Sequence, residues 1–353
     1  MLHLFSQTKT AYGLDLSGSS FKLIQLGGKS QGRLLQAFTD IQVPKGLVMN
    51  DTITDTKTFD YLIKQALTKP QFGRFNTNYA VVSLPESKSF VRVIQIPKMN
   101  DAEAESAIPF EAENFIPLPL EQVYMDWQKI GEADGKMSIL IIASPKEFVD
   151  AYLSVLDQVN IKVAALEVES QACLRALLKQ GSTETFLIVD LDAYRSGLIM
   201  VESGNLQFTS TIPIAGSNFT EAIARSLGVA SAKAEIIKQK VGMANTAEYP
   251  NIKTAVLPVV NNLSAEIKNI LKFHDEHSDK QVSKLVLTGG GAKLKNLPEF
   301  LATEFTDRPG LTVELGNPWV NVVFDKTSSL EQLDSLSFTT AVGLAMRGIS
   351  IEP

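Results

Sequence analysis

The sequence predicts an α/β chain built as two related halves that face each other across a cleft. Three stretches predict it. Tyr12–Leu26 (YGLDLSGSSFKLIQL) reads as a hairpin: an apolar strand Tyr12–Leu16, a turn of small residues Ser17-Gly18-Ser19-Ser20, and a second strand Phe21–Leu26. Phe186–Val201 (FLIVDLDAYRSGLIMV) aligns with it without a gap when Asp190 is placed on Asp15, an offset of 175 residues (190 − 15). Leu16/Leu191, Leu23/Leu198, Ile24/Ile199 and Leu26/Val201 then coincide. A repeat this long is a duplicated domain, because solenoid periods are much shorter. Lys284–Thr288 (KLVLT) reads as a buried parallel strand, followed by Gly289-Gly290-Gly291 and a helix from about Leu294 to Phe305.

The same stretches carry chemistry. An aspartate inside an apolar strand is costly to bury unpaired, so Asp15 calls for a hydrogen-bond network, a cation or hydrated Mg²⁺. A turn of small residues lets backbone N–H groups approach an anion. Together they make a candidate Mg²⁺–phosphate site; the alternative is an ordinary tight hairpin with a polar tip. Strand, glycine turn and helix N-terminus form an anion- or nucleotide-binding arrangement. It is incomplete as GxGxxG, since Leu294 stands where the third glycine belongs, and no P-loop is present.

Composition bounds the rest. The 353 residues predict two or three domains, and 44% hydrophobic content suffices for a core. A net charge of −6 disfavours nucleic acid and anionic membrane as direct partners. A lone cysteine, Cys173, excludes a disulfide framework and cysteine-based zinc sites, and fits a reducing cytosol. No apolar run approaches the ~18 residues of a membrane span. Met1–Thr10 lacks the apolar core of a signal peptide and reads as a flexible end.

Taken in order, the first hairpin is followed by a strand Arg33–Val43, a loop with Pro44 and Gly46, an amphipathic helix Thr56–Leu67 and a buried strand Asn78–Leu84 that Pro85 ends. Ser89–Ile96 opens an insertion. Asn100 or Asp101 caps a helix running toward Phe115, with Pro109 predicting a kink or a late start. Strands Val123–Ile130 and Ser138–Ser144, a helix Lys146–Val159 and a strand Ile161–Val168 complete a βαββα block. Glu169–Leu178 and Phe338–Arg347 read as helices whose small residues allow close crossing. Asn218–Leu227, Ser231–Val241 and Ala255–His274 form a helical insertion, with Pro258 in the first turn of the third. His274-Asp275-Glu276-His277 lacks HExxH spacing and reads as a solvated helix end. The divisions are 1–84; 85–166; 167–182; 183–212 with 284–334; 213–283; and 335–353.

In this order the three stretches resemble the hallmarks of the actin, sugar kinase and heat-shock chaperone superfamily: two phosphate hairpins and a glycine-rich adenosine motif. Within it, Ala107–Trp127 (AIPFEAENFIPLPLEQVYMDW) resembles the AI-x-x-EAE-x-x-IP-x-PLE-x-x-x-x-DW signature of the PilM family, FtsA-related proteins of type IV pilus assembly. The resemblance implies duplicated actin-like (ribonuclease H-like) domains around a nucleotide cleft, a 1C-type insertion at 85–166, a helical 2B-type insertion at 213–283, and the two small-residue helices as a hinge. It implies ATP and Mg²⁺ as cofactors. Asp15 and Asp190 are the implied metal holders, and Ser17, Gly18, Ser19 and Ser20 the phosphate cradle. Lys22 occupies a position where relatives often place a lysine; otherwise it is a solvated strand residue. Glu169 matches a glutamate that orients water or the metal shell; otherwise it opens a helix. Glu235 and Lys238 match ribose contacts, or form a surface ion pair. Gly289, Gly290, Gly291 and Leu294 fall in the adenosine motif.

The second hairpin departs from the usual D-x-G pattern: Asp192 replaces the glycine, and Tyr194-Arg195 precede Ser196. A carboxylate about 4 Å from a phosphate oxygen costs on the order of 4 kcal/mol at an effective dielectric of ~20. Asp192 must point away or be neutralised by Mg²⁺ or Arg195, and Arg195 and Ser196 are candidate phosphate contacts. Slow or negligible hydrolysis is expected. The function implied is a cytoplasmic ATP-binding component of the pilus inner-membrane platform, peripheral to the membrane through partners. The first of these is the N-terminal peptide of a PilN-like bitopic protein; other platform proteins and motor ATPases follow, and self-association stays open. The peptide groove is expected near Ser89–Ile96 and Ala107–Trp127, with Phe110, Phe115 and Ile116 as its lining or as the insertion's own core. The alternatives are a metabolic kinase of the superfamily, an FtsA-like membrane-tethering filament protein, and a Rossmann dehydrogenase, which the glycine pattern disfavours.

Overall fold

The computed structural model describes residues 10–28, 32–323 and 332–349. The amino-terminal stretch expected to be flexible lies, but for Thr10, outside them.

The first half opens with β1 (Tyr12–Leu16), β2 (Ser20–Gly27) and β3 (Leu34–Gln42), then a two-strand ribbon β4 (Val48–Met49) and β5 (Thr52–Ile53), α1 (Thr56–Thr68), β6 (Phe72–Gly73) and β7 (Tyr79–Leu84). Asp55 caps α1, its carboxylate accepting from the Lys57 and Thr58 amides. Phe59, Ile63 and Ala66 seat that helix on the sheet, where Phe59 meets Phe21 edge to face at 5.3 Å. The insertion contributes β8 (Phe90–Pro97), α2 (Asp101–Glu113), β9 (Val123–Ala133) and β10 (Lys136–Pro145), followed by α3 (Lys146–Gln158), β11 (Lys162–Val168) and α4 (Glu169–Leu177).

The second half comprises β12 (Phe186–Leu191), β13 (Ser196–Glu202), β14 (Asn205–Ile212), α5 (Gly216–Leu227), α6 (Ser231–Val241), α7 (Ile252–His277), β15 (Lys284–Thr288), α8 (Leu297–Glu304), β16 (Thr312–Leu315), α9 (Gln332–Ser335) and α10 (Thr339–Gly348). α7 starts at Ile252, so Pro258 lies past its first turn.

The two halves share one topology. The first sheet runs β11-β7-β1-β2-β3-β6, and the corresponding strands of the second run β16-β15-β12-β13-β14. In each, the opening hairpin is antiparallel and the later strands join in parallel. Even the hairpin register is kept: Asp15 faces Lys22 and Asp190 faces Gly197, the same 175-residue offset. The duplication expected from the apolar repeat is present.

Two boundaries move. β11 pairs in parallel with β7, and Tyr152, Leu156 and Val159 of the α3 region pack in the first half's core. Both elements, assigned from sequence to the 85–166 insertion, therefore belong to the first sheet's layer. The insertion's strands join the second half instead: β8 meets β14 at Phe208–Arg92, making one eight-stranded sheet that ends at β9. α2 begins at Asp101 under an Asn100–Glu103 capping box and runs through Pro109, so the late start is ruled out. Ala104, Ile108, Ala112 and Ile116 recur every fourth residue into the insertion core.

α4 and α10 cross closely. A Cβ at Gly343 would fall 1.9 Å from the Ala172 carbonyl oxygen, so only glycine permits this approach. Among the described residues, no helix is long and apolar enough to cross a membrane.

Candidate functional site

The repeated hairpins bring their aspartates to one cleft. Asp15 and Asp190 are 8% and 7% exposed. Burial pushes the Asp15 carboxyl up to about 6; Lys22 opposes the rise and Asp192 adds to it. Burial also raises Asp190, with Asp192 and Glu169 repelling its charge, and the Cys173 thiol donates to it at 3.4 Å. Asp192 is raised by burial against the pull of Lys22 and Arg195. Lys22 is not a solvated strand residue: it is 6% exposed, and its ammonium donates to the Ser20 hydroxyl at 2.5 Å.

Arg195 ties the second hairpin to the first half. It ion-pairs with Asp51 and donates to Glu169 at 2.8 and 3.1 Å. Burial works against its charge, but Glu169 and Asp51 outweigh that and hold the guanidinium protonated. Burial raises Glu169 to about 8 despite Arg195. Glu169 also accepts from the Glu86 amide at 3.2 Å, while Glu86 accepts from the Ser170 amide at 3.3 Å, stapling α4 to the start of the insertion.

Asp51 and Glu86 were not singled out from sequence. The Asp51 signal was local: Asn50-Asp51 between Val-Met and Thr-Ile is a two-residue hairpin turn, and both residues have positive φ, 50° and 63°. Its partner, Arg195, lies 144 residues away.

The first turn is less bare than its sequence suggests. The Ser17 hydroxyl accepts from the Ser19 and Ser20 amides at 3.4 and 3.2 Å and donates to the Ser20 carbonyl at 2.8 Å. The Tyr194 ring lies over Gly18, within 3.1 Å of where a Cβ would stand. The cavity among Glu86, Glu169, Asp190, Asp192 and Arg195 holds about 20 Å³, room for one water and far too little for a triphosphate.

Ser196, expected at phosphate, is fully buried and donates to the Ile214 carbonyl. Glu235 and Lys238 pair at 2.7 Å, and Lys238 also donates to the Gly216 carbonyl at 3.0 Å, behind the second hairpin. Gly289 has φ +81° and a Cβ there would meet the Asp190 carboxylate at 2.6 Å, which restricts the position to glycine. Gly290–Lys293 form a 3₁₀ turn and α8 starts only at Leu297, so no α-helix N-terminus follows the glycines directly. Leu294 is 5% exposed and packs in the second half's core. His274, expected at a solvated helix end, is 3% exposed and bonded to Glu202 at 3.0 Å.

Mg²⁺, implied by the fold, finds fitting donors: hard carboxylate oxygens whose burial makes their charge costly without a cation. Among the described residues no three metal-ligating side chains converge.

A second concavity of about 520 Å³ lies outside the cleft. Trp127 and Gln128 of β9, Leu140 and Ile142 of β10, Leu174, Arg175 and Leu178 at α4, and Met346 and Arg347 of α10 line it. Glu167 at its floor is 1% exposed and binds Arg175 through both guanidinium nitrogens at 2.5 Å and Arg347 at 3.1 Å. Phe110, Phe115 and Ile116 do not line it. Ile116 lies in the insertion core, Phe110 is 74% exposed, and Phe115 lies under the Arg92 guanidinium at 4.9 Å.

Two sheets of one topology, each offering an aspartate hairpin to a common cleft, define a protein of the actin-like fold. Solved structures agree. MreB 5 of Spiroplasma citri bound to AMPPNP matches with TM-score 0.53 at 13% identity, over 96% of this chain and 95% of that one. The ethanolamine utilization protein EutJ from Carboxydothermus hydrogenoformans matches with TM-score 0.55 at 15% identity, over 95% and 89%. A chain of a "PilM-PilN type IV pilus biogenesis complex" matches with TM-score 0.82 at 29% identity, over 97% and 99%. The family model described as type IV pilus assembly protein PilM matches residues 13–349. The chain belongs to that family.

Proposed function

We propose that this chain is a cytoplasmic ATP-binding adaptor of the pilus inner-membrane platform, and that it receives the N-terminal peptide of a PilN-like membrane protein in the 520 Å³ groove. The similar solved complex pairs PilM with PilN, which supports the partner. Other platform proteins and motor ATPases are its further partners. β9 is the outer strand of its sheet among the described residues, and its outer edge offers backbone groups to an extended peptide while Leu140, Ile142 and Leu174 offer apolar contact.

The observation that carries the reading is the junction of β11 and α4. Glu167 faces the groove and binds Arg175 and Arg347; Glu169, two residues on, faces the cleft and binds Arg195. A guest at either site acts on one rigid strand–helix joint. When bound, Mg²⁺ neutralises phosphate charge. Asp15 and Asp190 would hold it through water, Lys22 stands beside Asp15, and the Ser17–Ser20 turn receives phosphate once its hydroxyl bridges yield. Glu169, committed to Arg195, is poorly placed to orient water, so turnover is slow.

The test is titration of a fluorescent N-terminal peptide of the PilN-like partner with ATP or ADP present. Saturable binding whose affinity differs between nucleotides is expected; no saturable binding with either overturns the peptide site.

A further inference from the structure

The groove contains three arginines, and two are spoken for. Arg175 and Arg347 share Glu167, and Arg175 also donates to the Gly343 carbonyl at 3.1 Å. Arg33 is different. It lines the same groove from just before β3, yet its side chain makes no hydrogen bond or ion pair among the described residues, and its Nε is buried without an acceptor. A buried donor left unmade is destabilising, because it has lost water without gaining an acceptor. Partial burial, and then the nearby Arg175 charge, make the Arg33 charge costly and lower its pKa. The other acid of the groove, Asp126, spends an oxygen on the Trp127 amide at 2.9 Å. The chain thus presents a guanidinium that its own described groups leave unmatched, beside an apolar wall.

We infer that Arg33 is the specificity-determining contact of the groove and takes a side-chain oxygen acceptor, carboxylate or carboxamide, from the guest peptide. This rests on the peptide reading above. A guanidinium is a planar fork of N–H donors and grips an sp² oxygen pair directionally, whereas an ammonium supplies charge without that geometry. The guest therefore carries an Asp, Glu, Asn or Gln close in sequence to an apolar side chain that rests on Leu140 and Ile142.

The experiment is a double-mutant cycle in the full chain. Peptides from the PilN-like N-terminus, each with one position changed to alanine, are titrated against the wild type, Arg33→Lys and Arg33→Gln. Arg33→Gln should weaken the parent peptide about ten- to a hundredfold, and Arg33→Lys by a similar factor although charge is kept. One acidic or amide peptide position should lose its effect in both variants. Exchanging Asp for Asn, or Glu for Gln, there separates the two acceptors: a carboxylate partner loses affinity, a carboxamide partner does not. Thermal melts of the free variants confirm that both fold. Tight wild-type binding that neither variant changes, or no coupled peptide position, overturns the inference and leaves the groove assignment standing. Failure of the wild type to bind any peptide removes the groove assignment itself.

Discussion

Arg195 of the second half donates to both carboxylate oxygens of Glu169 in the first, at 2.8 and 3.1 Å, and so bridges the cleft that the two hairpins define. Asp51 takes the other end of the guanidinium. Removing one member of a partly buried ion pair strands its partners. Arg195→Ala should destabilise the nucleotide-free protein by on the order of 2 kcal/mol, read by urea melts, and Glu169→Gln much less. If the bridge competes with nucleotide, Arg195→Ala should also enlarge the ATP-induced rise in Tm. A reduced rise would instead make Arg195 a phosphate contact.

Asp15→Ala should abolish most of the Mg·ATP-induced rise in Tm, because a ligand selective for the folded state stabilises in proportion to its affinity. An unchanged rise in a well-folded variant would take the first hairpin out of the site.

The nucleotide-free protein should lose stability as pH rises. Asp15 titrates near 6 when folded, above its ordinary value near 3.9. Between those values the folded state holds a proton that the unfolded state has released, so stability is full below about 4 and is lost as pH rises through 6. Burial raises Glu169 to about 8, which extends the decline. Melts from pH 5 to 8 should show a falling Tm, and Asp15→Asn should flatten the lower part. A Tm that rises through this window would contradict the burial of these carboxyls.

Steady-state ATP turnover by the isolated chain should stay below about 1 per second, the low end of ordinary enzymes. Faster phosphate release would show that Glu169 leaves Arg195 during the cycle.

What was legible in the sequence was local or repeated. Asp15 and Asp190 stand in apolar strands with matching neighbours, so their shared register followed from alignment alone. Asn100 or Asp101 announced a helix cap, and Asn100 is the residue that supplies it. What was not legible depended on distant partners. Nothing around Lys22 told that its ammonium turns inward to Ser20, and nothing around Ser17 told that its hydroxyl would satisfy the amides of its own turn. The β11 strand looked like the end of the insertion because it follows it in sequence; only its pairing with β7 assigns it to the first sheet. Phe110 reads as core on hydropathy, but the fourfold spacing of Ala104, Ile108 and Ala112 leaves it on the outer face of α2.

The meeting of β8 and β14 at Phe208 and Arg92 has a mechanical consequence. A sheet interrupted to one residue pair is a perforation: the line along which a sheet tears when its two sides are pulled. On the proposed function, an opening of the cleft to admit a triphosphate would load that line. The insertion would then either travel with the second half while the pair survives or be released to the first when it parts. Amide exchange at Arg92 and Phe208 would therefore report which side carries the insertion during a nucleotide cycle.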